Sequence, residues 1–538
     1  MTVANYKYAD FYNNTGGINT VKSAILLDKS ECRDSQNMDY FPIGGFTKRN
    51  GYVLLDSAFS PDVADTNAVT GLFMSRYTTA GGTNVAYRVS GTKIYKMTGL
   101  DGTWTDISGV LTITTGATNI WNFAQLNNIT VLGNGTDTPI QISSSSVASA
   151  LNLTTLTIFK FCVESRGYMW YFQPTVGGTV QYDRGYFSDI NDPTTVQTNN
   201  FVNFSKGSGG IMAGAVDYKG SVYVFKEKSI HQAYFQPTAV DSSGTLFPWI
   251  QFPNPVVPGV GTRSHRSICK FTTPETHATP GQEFVFFVDQ YGCPRIFDGT
   301  TTISFFSKIG TSRDTTILSL SNMDTTRTSF AFSINYPMKN KILIFLSRSN
   351  SQQDTCWVLD YSTGFAIGRY KYALAFNTGF LFEKTDGTFK PYVGSYGGKV
   401  FQLDQSSSDN GTAINDYYTT GDTYQGSPSL NSKWFFMNIR GQTGSDSQQV
   451  KTSFFLDGSD TPSLSDTKPL QSEQTIWGVG MIWGESSWAT KSIKSATSEI
   501  GVDSKTLRTK VESLDKLNDT LTVEGFSLAS QQLGTSDF

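Results

Sequence analysis

Apolar positions in this chain alternate in short runs rather than at helical spacing, and the clearest run is VDYKGSVYVFKEKSIHQAYF, residues 216–235. Val222 and Val224 fall on one side of an extended strand, and Tyr223 and Phe225 fall on the other. A strand that is apolar on both faces needs a covering layer on each. Lys226, Glu227, Lys228 and Ser229 read as a solvated turn, after which Ile230, Ala233, Tyr234 and Phe235 resume a second strand.

Pieces of this kind recur from about residue 71, centred on 72–95, 121–142, 161–187, 216–235, 284–305, 330–370 and 373–403. Their spacing of roughly 40 to 50 residues is the period of propeller blades. Each unit carries a glycine turn into a strand that ends on an aromatic or aliphatic residue, as in Gly91-Thr92-Lys93-Ile94-Tyr95 and Gly397-Gly398-Lys399-Val400-Phe401. Seven units fit this spacing, and six or eight are compatible with it. The longer gap near 236–280 is rich in Pro and His and is expected to project from one face as a loop insertion.

The sequence therefore predicts an all-β chain with three parts. Residues 1–60 form an extended N-terminal arm with the first strands, 61–404 form a β-propeller of about seven blades, and 405–538 form a C-terminal antiparallel β-sandwich domain. The polar run from Ser406 to Gly411 reads as the linker before the sandwich. Helical spacing is confined to short pieces near 489–498 and 511–518.

Composition sharpens this picture. At 538 residues the chain exceeds one ordinary core. Charged residues are 16% of it, against about 25% in an average soluble protein. A Thr- and Ser-rich β protein has this profile, and so does one whose surface is covered in an assembly, because subunit contacts deplete charge. The net charge of −3 argues against a protein that grips DNA through its phosphates, but not against a wall past which DNA slides. No apolar run reaches the roughly 18 residues of a membrane helix, and the first residues lack the apolar core of a signal peptide. Cys32, Cys162, Cys269, Cys293 and Cys356 are dispersed without paired spacing, as reduced thiols of a cytosolic product would be.

Candidate chemistry is sparse. His231, His265 and His277 stand at no metal-ligand spacing, and no nucleophile elbow, phosphate loop or dinucleotide fingerprint occurs. No cofactor or metal is expected. Aspartates such as Asp101, Asp183, Asp289, Asp298 and Asp404 recur near turns, where side-chain to backbone bonding explains them. The segment from Thr98 to Trp104 sets Asp101 beside Gly102, which breaks the aspartate-box spacing of propeller sialidases. Arg263, His265 and Arg266 with Lys270 form a local basic cluster, read as a solvated loop. An enzymatic alternative, a propeller glycosidase or depolymerase, requires two close carboxylates in a pocket. A lectin-like glycan-binding module is the other alternative.

Several soft motifs gain weight from their order. Gly16-Gly17-Ile18-Asn19 is followed by Asn37-Met38-Asp39 and then by Gly44-Gly45-Phe46-Thr47-Lys48-Arg49-Asn50-Gly51-Tyr52. Further on come Gly135, Asp137 and Pro139, the pair Lys226 and Ser229, Asp360 in LDYSTG, Trp483-Gly484, and Gly525-Phe526. This succession spans nearly the whole chain and resembles the tail nozzle (tail tubular or stabilisation) proteins of short-tailed bacteriophages. The resemblance implies a structural, non-enzymatic virion protein of the tail, made in the host cytoplasm. It implies a homohexameric ring that docks on the adaptor of the head-to-tail connector and sometimes holds tail fibres or a tail needle. Double-stranded DNA would pass through the lumen without specific binding, and the ring would close the exit channel until genome ejection. No catalytic residue comes with the resemblance.

Overall fold

A computed structural model describes residues 6–40, 44–55, 67–78, 83–98, 103–144, 147–240, 244, 246–310, 320–348, 352–384, 386–443, 449–472, 494–518 and 521–533. Its strands form seven successive small antiparallel sheets, and the chain is a seven-bladed β-propeller joined to a β-sandwich. The first blade starts at Val69–Tyr77, the second at Asn122–Leu126, the third at Phe161–Ser165 and the fourth at Met212–Tyr218. The fifth starts at Cys269–Thr272, the sixth at Phe332–Tyr336 and the seventh at Phe376–Glu383. All seven predicted repeat centres fall within these blades.

Double-sided burial explains why the repeat reads as it does. Val222 and Val224 pack with Trp170, Phe172 and Trp249 between the third and fourth blades. Tyr223 and Phe225, one residue out of phase, pack with Phe287 and Phe297 between the fourth and fifth. Every blade is an inner layer, so alternate residues of its middle strands enter two different cores.

The ring closes through a strand from before the repeat. Tyr52–Leu54 is the outermost strand of the seventh blade, with Leu403 opposite Tyr52 and Phe401 opposite Leu54. Tyr52 is buried edge-on against Phe376 and Phe401. On the inner side, the seventh blade meets the first through Asn377, whose Nδ2 donates to the Val69 carbonyl at 3.0 Å.

The sandwich is likewise built from both ends of the chain. Its larger sheet orders Gln471–Ser472, Lys494–Ser504, Ser432–Thr443, Leu521–Gln532, Phe46–Lys48 and Met38–Tyr40, with Lys7–Phe11 also paired to Leu521–Gln532. The smaller sheet orders Asp34–Gln36, Tyr417–Thr419, Leu507–Ser513, Gln449–Leu456 and Leu464–Pro469. Trp434, Ile439 and Leu528 of the first sheet share one core with Phe454, Leu507 and Val511 of the second.

Three expectations change. The extended N-terminal arm with its first strands is not a part by itself: its strands complete both sheets of the sandwich and the last blade. Where described, residues 236–280 do not project as an insertion. They contain Trp249–Gln251, an outer strand of the fourth blade, and Cys269–Thr272, the inner strand of the fifth. Trp249 and Phe271 anchor them, and both are buried. The suspected helical pieces are not helical where described: Ala496, Ser498 and Ile500 alternate inward along the strand Lys494–Ser504, and Leu507–Ser513 is a strand followed by a turn at 516–518. The described helices are all short, the α-helix Phe306–Ile309 included, and none is long and apolar enough to cross a membrane.

Replacing Val222 and Val224 together by Asp puts unpaired carboxylates between two blades, so the protein should lose cooperative thermal unfolding and its ordered near-UV circular dichroism. Truncating Tyr52 to Ala should cost about 3 kcal/mol in urea unfolding, as for other buried aromatics.

Candidate functional site

The motif residues of the N-terminal part do not scatter; most meet where the propeller joins the sandwich. Asn37 has φ 57°, a left-handed conformation that Asn tolerates better than most residues. Its Oδ1 accepts from Arg49 Nε at 2.8 Å and from the Lys371 amide at 2.7 Å. Its Nδ2 donates to the Asn415 carbonyl at 2.7 Å. One side chain thus ties the sixth blade's exit to the first segment of the sandwich.

Arg49 completes this junction. Its Nη1 and Nη2 donate to the two oxygens of Asp409, each at 2.8 Å, and further bonds run to the carbonyls of Asn50 and Lys371. All five N–H donors are used, and the guanidinium lies 4.1 Å from the ring centre of Tyr372. Arg49 and Asp409 side chains are each only 2% exposed. Burial works against the Arg49 charge, and Asp409 more than offsets it, raising the pKa. The partner was invisible in the sequence because Asp409 sits in the polar run read as a linker. That run is an anchored turn in which the Asp409 amide donates to the Thr412 carbonyl at 2.8 Å.

Beside this pair lies an ionic network around Asp39. Lys341 Nζ is 2.7 Å from Asp39 Oδ1 and 3.9 Å from Asp360 Oδ2, while Lys339 Nζ is 3.4 Å from Asp39 Oδ2 and 2.6 Å from Asp404 Oδ1. Burial opposes ionisation of Asp39, yet Lys341 and Lys339 outweigh it and hold its pKa below the usual range. Burial dominates at Asp360 and raises its pKa, against the pull of Lys341. Asp360 also accepts from the Ser362 amide at 2.9 Å, which shapes the LDYSTG turn.

The glycines of these motifs mark close approaches. A Cβ on Gly17 would lie 2.7 Å from backbone atoms of Ile367 in the sixth blade, and one on Gly51 would lie 1.9 Å from the Ser408 carbonyl oxygen. Gly44 is buried beside Tyr12 and Asn13, Gly45 is buried as well, Gly16 abuts Ser30, and Gly525 faces the Tyr12 ring. The remaining motif residues lie elsewhere. Asp137 accepts from Asn134 Nδ2 at 2.8 Å and from Thr114, and the Pro139 carbonyl accepts from the Leu151 amide, with Gly135 (φ 80°) at the same turn of the second blade. Trp483 lies outside the described residues.

The Lys226–Ser229 turn corrects the solvated reading. Lys226 is fully buried, and its Nζ donates to Asp183 at 2.8 Å and to the carbonyls of Phe204 and Ser205, tying the fourth blade to the third. Ser229 is buried against His231, with Oγ 2.9 Å from Nε2. Burial, with Lys226 second, pushes the His231 pKa down to about 4. Only the tip, Lys228, is exposed.

A concavity lies on the propeller axis. A chamber of about 300 Å³ is walled by residues in or just before the inner strands of five blades, among them Phe73, Trp121, Arg266, Ile334 and Phe380. An adjoining cavity of about 170 Å³ shares Asn122, His265 and Arg266 with it and adds Lys160 and Arg263. Among the described residues no Asp or Glu lines either cavity. The basic cluster is therefore split: Lys270 and Arg263 are exposed, but His265 and Arg266 turn inward. The five cysteines are free thiols, all buried except the half-buried Cys269. Among the described residues no cluster of His, Cys, Asp or Glu is arranged to hold a metal ion.

No family model matches the chain, and no curated protein matches it. Among solved structures it is similar to YCF48 bound to D1 peptide, at 11% identity and a TM-score of 0.37, covering 66% of this chain and 98% of that one.

Replacing Arg49 by Met strands the buried Asp409 carboxylate and should cost about 3–5 kcal/mol in denaturant unfolding. Asp39 and Asp360 should respond to acid in opposite directions. The lowered pKa of Asp39 contributes stability above the unfolded value of about 3.9, lost as pH falls through the folded pKa. The raised pKa of Asp360 costs stability at neutral pH, recovered as pH falls toward that same unfolded value. Urea titrations between pH 3 and 7 should accordingly show a shallower acid loss in Asp39→Asn and a steeper one in Asp360→Asn.

Proposed function

We propose that the chain is a structural virion protein, a subunit of the tail nozzle ring of a short-tailed bacteriophage, placed below the adaptor and closing the DNA exit channel until ejection. The observation that carries this reading is the convergence of its motifs. Gly17, Asn37, Asp39, Arg49, Gly51, Tyr52 and Asp360 are spread across the sequence, yet they build one junction between propeller and sandwich. Residues that resemble a family by their order alone thus also share one physical task. That task, fusing a closed blade ring to a second β layer, suits a wall that bears load.

The DNA lumen in this reading lies between subunits of a homohexamer, not along the blade axis. An axial chamber of about 300 Å³ is too small for a duplex whose major groove alone is about 12 Å wide. A net charge of −3 suits a surface that releases the DNA it guides. Tyr6, Tyr8 and Tyr12 recur on the exposed side of the segment that includes strand Lys7–Phe11, apolar surface available for subunit or adaptor contact. Opening would be mechanical, through loops shifted when attached fibres or a needle engage the host. The axial cavities offer the glycosidase reading no carboxylate pair.

Purified particles of the source phage, analysed by mass spectrometry and symmetry-expanded electron microscopy, test this. The proposal expects this chain in six copies at the distal end of the tail tube. Its absence from infectious particles would overturn it.

A further inference from the structure

The cationic groups on the blade axis are not used by the junction or by any role given above. Arg266 Nη1 donates to the Asn377 carbonyl at 2.8 Å, and Nη2 donates to the Phe330 carbonyl at 2.9 Å. These two bonds fix the guanidinium between the blades while leaving N–H donors over. No carboxylate forms an ion pair with Arg266 among the described residues, and burial lowers its pKa to about 10. His265 stacks on Phe161 at 4.8 Å, and its Nδ1 accepts from the Ala215 amide at 3.3 Å, so Nε2 carries the proton as a donor. Burial pushes the His265 pKa down to about 4, so it is a neutral donor at physiological pH. Lys160 is exposed, and its Nζ has no hydrogen bond or ion pair among the described residues; the protein around it still removes enough water to lower its pKa, with Glu227 opposing. Arg263 makes one loose contact, Nε to Glu227 at 3.6 Å.

The larger chamber also has an aromatic lining. Phe73 stacks on Phe123 at 5.3 Å and meets Phe380 at 5.0 Å, beside Trp121. A chamber of about 300 Å³ is at the lower end of small-molecule sites. Arg266, desolvated and without a carboxylate partner among the described residues, gains most from an anion, Lys160 and Arg263 add exposed positive charge beside the smaller cavity, and a flat aromatic lining gains most from an apolar body.

We propose that the propeller axis is a small-molecule site for an oxyanion carrying an aromatic or other flat apolar body. The oxyanion is held by Arg266, His265, Lys160 and Arg263, and the body lies against Phe73 and Trp121. This inference is independent of the nozzle reading, since it rests on one subunit's axis and not on assembly.

Isothermal titration of the purified full chain with phenyl phosphate, benzoate, inorganic phosphate and benzyl alcohol tests it. One of the two aryl anions should bind saturably at one site per chain, and which of them binds identifies phosphate or carboxylate as the preferred oxyanion. Neutral benzyl alcohol and inorganic phosphate should each bind about tenfold more weakly or worse. Lys160→Met removes an exposed side chain that makes no bond, so it should fold normally and weaken aryl-anion binding about fivefold to tenfold. Arg266→Gln should abolish binding. Absence of saturable binding by both aryl anions would overturn the proposal. So would equal affinity for benzyl alcohol or inorganic phosphate, or unchanged affinity in Lys160→Met.

Discussion

The architecture depends on one buried ion pair. Arg49 and Asp409 meet through two parallel bonds in a place where neither can reach water. A charge so placed is tolerated only if every donor finds an acceptor, and here Asn37, Asn50 and Lys371 supply what Asp409 leaves over. The constraint is geometric as well as energetic. A planar five-donor group fixes the relative positions of the N-terminal segment, the end of the sixth blade and the first turn of the sandwich, which a lysine could not do.

From this point two closures follow. Tyr52 lies three residues after Arg49, and its strand seals the seventh blade onto the ring. Three residues before Arg49, Phe46 stacks on Tyr418 at 4.5 Å and begins the strand that extends the larger sandwich sheet. The same short segment therefore closes the propeller and seeds the sandwich. This is why its motif is dense in glycine and in residues with fixed hydrogen-bonding geometry: Gly51 admits the Ser408 carbonyl where any side chain would collide.

Much of the fold was legible because blades announce themselves. Val222 and Tyr223 point into different cores, and both must be apolar, so periodicity alone located the fourth blade. What stayed hidden depended on partners distant in sequence. Asp409 looked like linker because a turn-forming Asp and an ion-pairing Asp carry the same local signature. Lys226 looked solvated because nothing nearby reveals Asp183 in the neighbouring blade, 2.8 Å from its ammonium group. The run 236–280 looked like an insertion because its Pro and His content outweighed Trp249 and Phe271, the residues that seat it. His265 and Arg266 gave a visible basic signal, but only the folded ring turns them toward the axis.

One junction makes propeller and sandwich a single cooperative body. Hydrogen–deuterium exchange on the full chain, comparing Arg49 with an Arg49→Lys variant under native conditions, tests it most directly. Protection should fall together in Tyr52–Leu54, Val400–Leu403 and Phe46–Lys48, on both sides of the junction. Loss confined to the sandwich strands, with the seventh blade as protected as before, would contradict it.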